Sequence, residues 1–305
     1  MLHLILSRLL QLPLILVVIF LLTFTLAWVV PGNPLDRADG RRPSPQIQEA
    51  IERQYNLHSP TAFLASYVTD ALQGDFGPSL HYQQRVSDII ARGLPVSMAL
   101  GVGAIVVALI LGTLAGVVGA LWPGTALDLS SMALTLIGIS LPSFIIGSIL
   151  LAFFAGLLHL LPAGGWGSRP DQILLPALTL GIAPAAYIAR LIRLGLADVM
   201  SSDHVRTALA KGLSRRAALF KHALKMAYLP VLSFLGPAAA AAMTGSFVVE
   251  KIFNIPGLGE HFVAAAINKD PFLILGVVMT YSVMLILFNL LVDVAYAWLD
   301  PRIAL

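Results

Sequence analysis

The sequence predicts an all-α membrane protein with six transmembrane helices and both termini in the cytoplasm. Three observations carry that expectation. Of 305 residues, 58% are hydrophobic and only 11% are charged, whereas a water-soluble domain carries about 25% charge. Six long intervals contain no Asp, Glu, Lys or Arg. The basic residues concentrate in one short connection, Arg190 to Lys225. Together these exclude an ordinary soluble enzyme and a disordered chain. The absence of cysteine excludes a disulfide framework, a thiolate metal site and a cysteine nucleophile, and leaves the redox compartment unread.

The charge-free intervals are 9–35, 93–127, 129–168, 172–189, 226–249 and 271–292. A helix rising 1.5 Å per residue needs about 20 apolar residues to cross the hydrocarbon. Five intervals reach that length, and 172–189 reaches it if Arg190 snorkels. Arg8 precedes the first interval as it would in a signal peptide. The apolar run nevertheless exceeds the roughly 7–15 residues of such a core, and Trp28-Val29-Val30 stands where small residues would mark cleavage. This span is therefore expected to remain as a helix. In the second interval Gly112, Gly116 and Ala120 recur every fourth residue, a helix-packing seam. The third is long enough for two short helices but reads as one, from about Met132 to Leu160, because no polar turn interrupts it. Pro142 is expected to kink that helix rather than end it. Its stop is the loop Pro162-Ala-Gly-Gly-Trp-Gly167.

Orientation follows from the basic residues. Arg190, Arg193, Arg206, Lys211, Arg215, Arg216, Lys221 and Lys225 face only Asp198 and Asp203 in one connection, which should be cytoplasmic. Alternating crossings then place 31–92 outside, with six basic and seven acidic residues. The expected organisation is a first transmembrane helix at 1–30, an extracytoplasmic helical segment at 31–93, and a five-helix core at 94–300. That core contains a cytoplasmic segment, 198–225, and a tail follows at 301–305.

Two outer helices are expected. One starts at Ser44-Pro45 with the stripe Ile47, Ile51, Tyr55. The other starts at Ser59-Pro60 with Phe63, Leu64, Tyr67, Val68, Ala71 and Leu72, and stops at Gly74. Both are expected to lie flat on the membrane or on a neighbouring subunit. In the inner segment, Ser202 or Asp203 can cap a helix through Val205, Ala208 and Leu209 to Lys211, with Gly212 as a left-handed stop. Ser214 can cap a second helix, Arg215 to Met226. A short helix with small side chains lets another protein approach its backbone closely. Equally, a basic juxtamembrane turn can serve topology or touch anionic lipid alone.

No catalytic or metal-ligating set is visible. The seven histidines form no i, i+4 pair, no G-x-x-x-x-G-K-[ST] loop exists, and the basic segment lacks the aromatic interleaving of a nucleic-acid surface. Asp293 is an intramembrane charge within about two turns of the end of the last helix. A structural pairing with Arg190 or Arg193 is expected there rather than a proton relay.

Val205-Arg-Thr-Ala-Leu-Ala-Lys-Gly-Leu213 resembles the "EAA" loop of bacterial ABC-importer permeases. Ala208 and Gly212 match the pattern Glu-Ala-Ala, three residues, Gly, whereas Arg206 and Thr207 replace its first two positions. His222 and Lys225 depart from the usual downstream Ile-x-Leu-Pro, and Leu224 remains. The peptide and nickel permeases share these departures. Four further segments are similar to that subfamily: Pro31-Gly-Asn-Pro34, Gly74-Asp-Phe-Gly-Pro-Ser79, Glu250-Lys-Ile-Phe-Asn-Ile-Pro-Gly-Leu-Gly259, and Val292-Asp-Val-Ala-Tyr296 with Asp300-Pro-Arg302. Leu161-Pro-Ala-Gly-Gly-Trp166 and the chain length look closest to the oligopeptide permease B subunits.

The resemblance implies a type I ABC-importer permease fold. It also implies a function as half of a translocation pore for oligopeptides, with dipeptide, glutathione and nickel importers as alternatives. The implied partners are a second permease, two ABC ATPase subunits that bind ATP and Mg, and an extracytoplasmic peptide-binding protein. Asp203, Val205, Arg206, Thr207, Ala208, Ala210, Lys211, Gly212 and Leu213 would dock on the ATPase. Phe253, Pro256, Gly257 and Gly259 would shape an outer loop that closes the pore. The competing classes are an ATP-independent carrier or channel, which leaves the Ala208–Gly212 turn unexplained, and an intramembrane enzyme, for which the spans offer no nucleophile–base pair.

Overall fold

The computed structural model describes residues 2–31, 35, 44–243 and 247–299. Of the resemblance motifs, Pro31-Gly-Asn-Pro34 lies largely outside these residues, and Asp300-Pro-Arg302 and the tail at 301–305 wholly so. The described residues form helices and turns, with one isolated antiparallel bridge between Pro78 and Arg85. In chain order the helices are α1 (Leu2–Val29), α2 (Pro45–Gln54), α3 (Pro60–Ala71), α4 (Val86–Leu121), α5 (Ala126–Ser140), α6 (Ser143–Leu150), α7 (Leu174–Met200), α8 (Asp203–Ala210), α9 (Arg215–Ala218), α10 (Leu224–Ala227), α11 (Leu229–Met243), α12 (Phe247–Ile252), α13 (Leu258–Ile267) and α14 (Pro271–Leu299). Wider π-helical turns continue α6 over Leu151–Leu157 and join α9 to α10 over Leu219–Ala223.

Four helices are long and apolar enough to span a bilayer, with windows at Leu10–Val29, Val86–Leu121, Pro170–Met200 and Pro271–Val294. Two further spans exist if each bent pair counts as one crossing. In the first pair, Ala126–Ser140 and Ser143–Leu157 meet at 112°. The expected single kinked helix is therefore two helices. Proline crowds the residue before it out of the α region, and Leu141, at φ −85° and ψ 130°, is extended. The second pair, Arg215–Ala227 and Leu229–Met243, bends by 49°.

The chain divides into two compact units, Leu2–Ser97 with Pro256–Ile286, and Met98–Ile255 with the chain from Leu287 onward. The division falls inside α4 and α14. In the first unit α1 carries Phe20, Phe24 and Trp28 four residues apart, so they share one face. That face covers α3: ring centroids are 5.8 Å apart for Phe20–Tyr67, 6.1 Å for Phe24–Phe63 and 5.6 Å for Trp28–Phe63. Phe272 of α14 closes the cluster edge-on to Phe63 at 5.1 Å. Phe63 and Tyr67 are thus buried by the chain's own helices, not laid on a membrane or a neighbour as the sequence suggests, while Val68 and Leu72 remain exposed. In α2 no residue is buried.

The second unit is built on the close crossing of α4 and α7. A Cβ at Gly112 would lie 2.6 Å from the Ala185 carbonyl oxygen, and one at Gly116 would lie 2.7 Å from that of Ala189. These contacts make the glycine positions the packing seam that their spacing indicates. Ile188, Ile192 and Leu196 fill the core beside it, together with Val205, Ala218, Leu219 and Ala223.

Candidate functional site

The docking segment runs from the end of α7 through α8 to α9. Val205 and Ala208 lie three apart on α8 and are buried, Val205 in one core with Leu196, Ala218 and Leu219. Asp203, Arg206, Thr207, Ala210, Lys211 and Gly212 are exposed, and Leu213 is half-buried. The expected set therefore separates into two faces. Ala208 is buried on the same side as Val205, and Ala210 is the small residue on the exposed face.

The C-terminal end of α8 follows from its sequence. The Gly212 N–H donates to the Leu209 carbonyl at 2.9 Å and the Leu213 N–H to that of Ala208 at 3.2 Å. This paired closure needs a left-handed residue after the helix, and Gly212 has φ +91°. At the other end Ser202 occupies the N-cap position without capping. Its hydroxyl donates to the Val199 carbonyl at 2.5 Å and lies 3.0 Å from His204 Nδ1. Nor does Asp203 cap, since it is the first residue of the helix. Ser214 does cap α9, accepting from the Ala217 N–H at 3.3 Å. The result is a two-turn helix with an exposed polar face between two long apolar helices, a form suited to binding another protein's surface.

The residues of the sequence-predicted outer loop are shared between the two units. Phe253 is buried; its carbonyl accepts the Gly165 N–H at 2.8 Å, and a Cβ at Gly164 would clash with that carbonyl oxygen. Pro256, Gly257 and Gly259 belong to the other unit. There Gly257 precedes α13 as its N-cap, and the Leu258 N–H donates to the Ser97 hydroxyl at 2.8 Å. Only Pro256 of the four is exposed.

Two charged positions differ from expectation or were missed. Arg193, one of the two expected partners of half-buried Asp293, places its guanidinium on Asp128, with Nε 2.5 Å from Oδ1 and Nη2 2.8 Å from Oδ2. Asp270 is fully buried ahead of α14. It accepts from the Ser79 hydroxyl at 2.6 Å, the His81 N–H at 3.1 Å and the Leu273 N–H at 3.2 Å. Burial pushes its carboxyl above the ordinary aspartate range, outweighing the downward pull of these donors. Burial likewise raises Tyr67 and Tyr82 and lowers His261, whose ring meets that of Tyr82 edge-on at 5.0 Å. The signal for Asp270 was its place before Pro271 at a helix start.

Long apolar helices, a two-helix break at Pro142 and an exposed two-turn helix between spans define a polytopic helical membrane protein. Residues 108–305 match the family described as binding-protein-dependent transport system inner membrane component, and the chain belongs to that family. It is an inner-membrane permease. It is 43% identical over 290 residues to the dipeptide transport system permease protein DppB of Bacillus subtilis (strain 168), covering 94% of this chain and 93% of that one. It is 41% identical over 307 residues to the oligopeptide transport system permease protein OppB of Escherichia coli (strain K12), covering 99% of each. Among solved structures, a chain of the MetNI methionine ABC transporter in inward-facing conformations superposes with a TM-score of 0.56 at 16% identity, over 70% of this chain and 96% of that one. An amino acid ABC transporter solved with histidines gives 0.51 at 18% identity, over 69% and 94%. These two likenesses establish the type I importer permease fold.

Proposed function

We propose that this chain forms half of the pore of an ATP-driven oligopeptide importer, with both termini in the cytoplasm. The exposed face of α8 docks on an ABC ATPase subunit. A second permease completes the pore, two ATPases supply ATP and Mg chemistry, and an extracytoplasmic binding protein delivers peptide. The carrying observation is the placement of α8: seated by Val205, closed by Gly212, and joined to α7 by the two-residue turn Ser201–Ser202. Because α7 runs unbroken from Leu174 to Met200, displacement of α8 is passed along a span. ATP shifts the pore between states only by the difference in its affinity for them. The oligopeptide reading is supported by the full-length similarity to the Escherichia coli relative. The Bacillus subtilis relative favours dipeptides as a second reading. The Phe253 and Pro256–Gly259 positions are proposed as the extracytoplasmic closure.

The test is purification of the tagged chain in mild detergent with identification of what accompanies it. Labelled hexapeptide, dipeptide and nickel uptake would then be measured in vesicles with and without ATP. Recovery of a second permease and Walker-motif ATPases, with ATP-dependent hexapeptide uptake, is expected. Uptake by the chain alone without ATP overturns the importer reading. Uptake of dipeptide or nickel but not hexapeptide overturns the substrate alone. The closure assignment fails if crosslinks from the Phe253–Gly259 loop are the same in nucleotide-free and ATP-trapped complexes.

A further inference from the structure

The turn between α4 and α5 is held by two arginines that flank α8 in the chain. Asp128, in the first turn of α5, is buried and takes three donors: Arg193 Nε at 2.5 Å, Arg193 Nη2 at 2.8 Å and the Gly124 N–H at 2.9 Å. A two-pronged guanidinium contact fixes orientation as well as distance. Room for it comes from α4, where a Cβ at Gly119 would lie 3.1 Å from both Arg193 Cδ and Asp128 Oδ1. On the other side of α8, Arg216 of α9 lies 5.8 Å over the Trp122 ring. One cation precedes α8 by about three turns of helix and the other follows its Gly212 closure, yet both grip residues 122–128.

We propose that Asp128, Arg193, Trp122 and Arg216 are positioning residues that make the α4–α5 turn part of the moving body around α8. Displacement of the docking helix is then carried into α5 as well as α7. This rests on the docking reading of α8. Neither arginine needs a partner to enforce topology, so a basic turn alone does not account for two that converge on one short turn. Loss of Arg193, itself half-buried, would leave the buried Asp128 charge uncompensated, which keeps the turn and α7 together through a stroke. The consequence lies along α5. Its Ser131, Thr135 and Gly138 line one side of an apolar cavity of about 590 Å³ whose other walls include Ile146 of α6 and Ile182 and Ala186 of α7. With its first turn tied to α7, α5 moves with α7, so the wall of this cavity formed by those two helices is preserved during the stroke.

The chain has no cysteine, so spin labels can be placed at the exposed positions Thr125 and Ser201 in the complete permease–ATPase complex, assembled from cysteine-free partner subunits in lipid nanodiscs. In the T125C/S201C complex the label distance is expected to be the same in nucleotide-free and ATP-trapped states. Adding D128N should broaden that distribution and lower peptide uptake roughly tenfold, within the usual range for coupling between sites, while ATP hydrolysis continues. W122A should broaden it in the same direction. A distance that changes between the two states in the T125C/S201C complex overturns the proposal, and that measurement needs no charge variant to fold. So does D128N with native distance and uptake. Failure of the docking reading is separate: it is read as ATPase subunits retained by a G212V chain, whatever the labels report.

Discussion

Replacing Gly212 tests the docking helix without disturbing its packing. At φ +91° a side chain is strained, and a built Cβ meets no heavy atom within 4 Å, so the cost is conformational alone. For a β-branched residue held in such a region the strain is about 1–3 kcal/mol. Alanine falls at the lower end, and asparagine, which tolerates left-handed backbone, costs least. A penalty of that size lowers the closed-to-open ratio of the turn by about 5–150-fold. The assay is recovery of ATPase per permease by quantitative mass spectrometry, alongside vesicle uptake. Recovery and uptake should both fall in the order Asn, Ala, Val, while membrane insertion and yield stay constant. Native recovery in G212V would refute the reasoning. An equal loss in all three variants would also refute it, because it would mean that a partner surface fills the space above the glycine.

Three further outcomes follow from the packing. G116V should cost about 1–3 kcal/mol by overpacking and lower the thermal midpoint in detergent, because its Cβ falls 2.7 Å from the Ala189 carbonyl. G124A, in open space at φ +75°, should lower stability only by the backbone strain it adds, about 1 kcal/mol. F63A removes the centre of the aromatic cluster, where Phe63 has no exposed surface. It should cost about 3–5 kcal/mol, seen as proteolysis of the outer segment. Asp270, with its carboxyl raised by burial, retains its proton when folded at a pH where the unfolded chain has released it. Its contribution is therefore full below the ordinary aspartate range and is lost as pH rises through the raised value. D270N should flatten that slope in thermal unfolding against pH, and an unchanged slope would assign it elsewhere.

The spans were legible because the absence of charge reports directly how much chain can sit in lipid. The interval 271–292 is matched by α14, and 172–189 by an α7 that continues past Arg190. The close of α8 was equally legible, since a left-handed stop depends on one residue and its immediate neighbours. The break at Pro142 was not. Pro13, Pro95, Pro184 and Pro237 all sit inside continuous helices, so proline alone does not decide. The outcome depends on whether the preceding residue is held in the helical region, and at Leu141 it is not. The aromatic face of α1 was hidden for a related reason. Hydropathy treats Phe20, Phe24 and Trp28 as membrane content and cannot say that Phe63 and Tyr67 lie opposite.

The partner of Arg193 marks where sequence reasoning stops and geometry decides. Asp128 and Asp293 are both single charges flanking apolar runs, and both lie far along the chain from Arg193. Proximity in sequence therefore favours neither. Helix depth does not decide it either, because each carboxylate lies near the end of its helix. Asp128 is chosen because Gly119 leaves room for a guanidinium beside it and because the Gly124 N–H already orients its Oδ2. A small residue on a third helix thus selects the ion pair. The four-residue spacing of Gly112 and Gly116 identifies a seam, but Gly119 lies three residues further on, outside that repeat. Its separate task explains the offset: the first two admit the backbone of α7, and the third admits the arginine that ties α7 to α5.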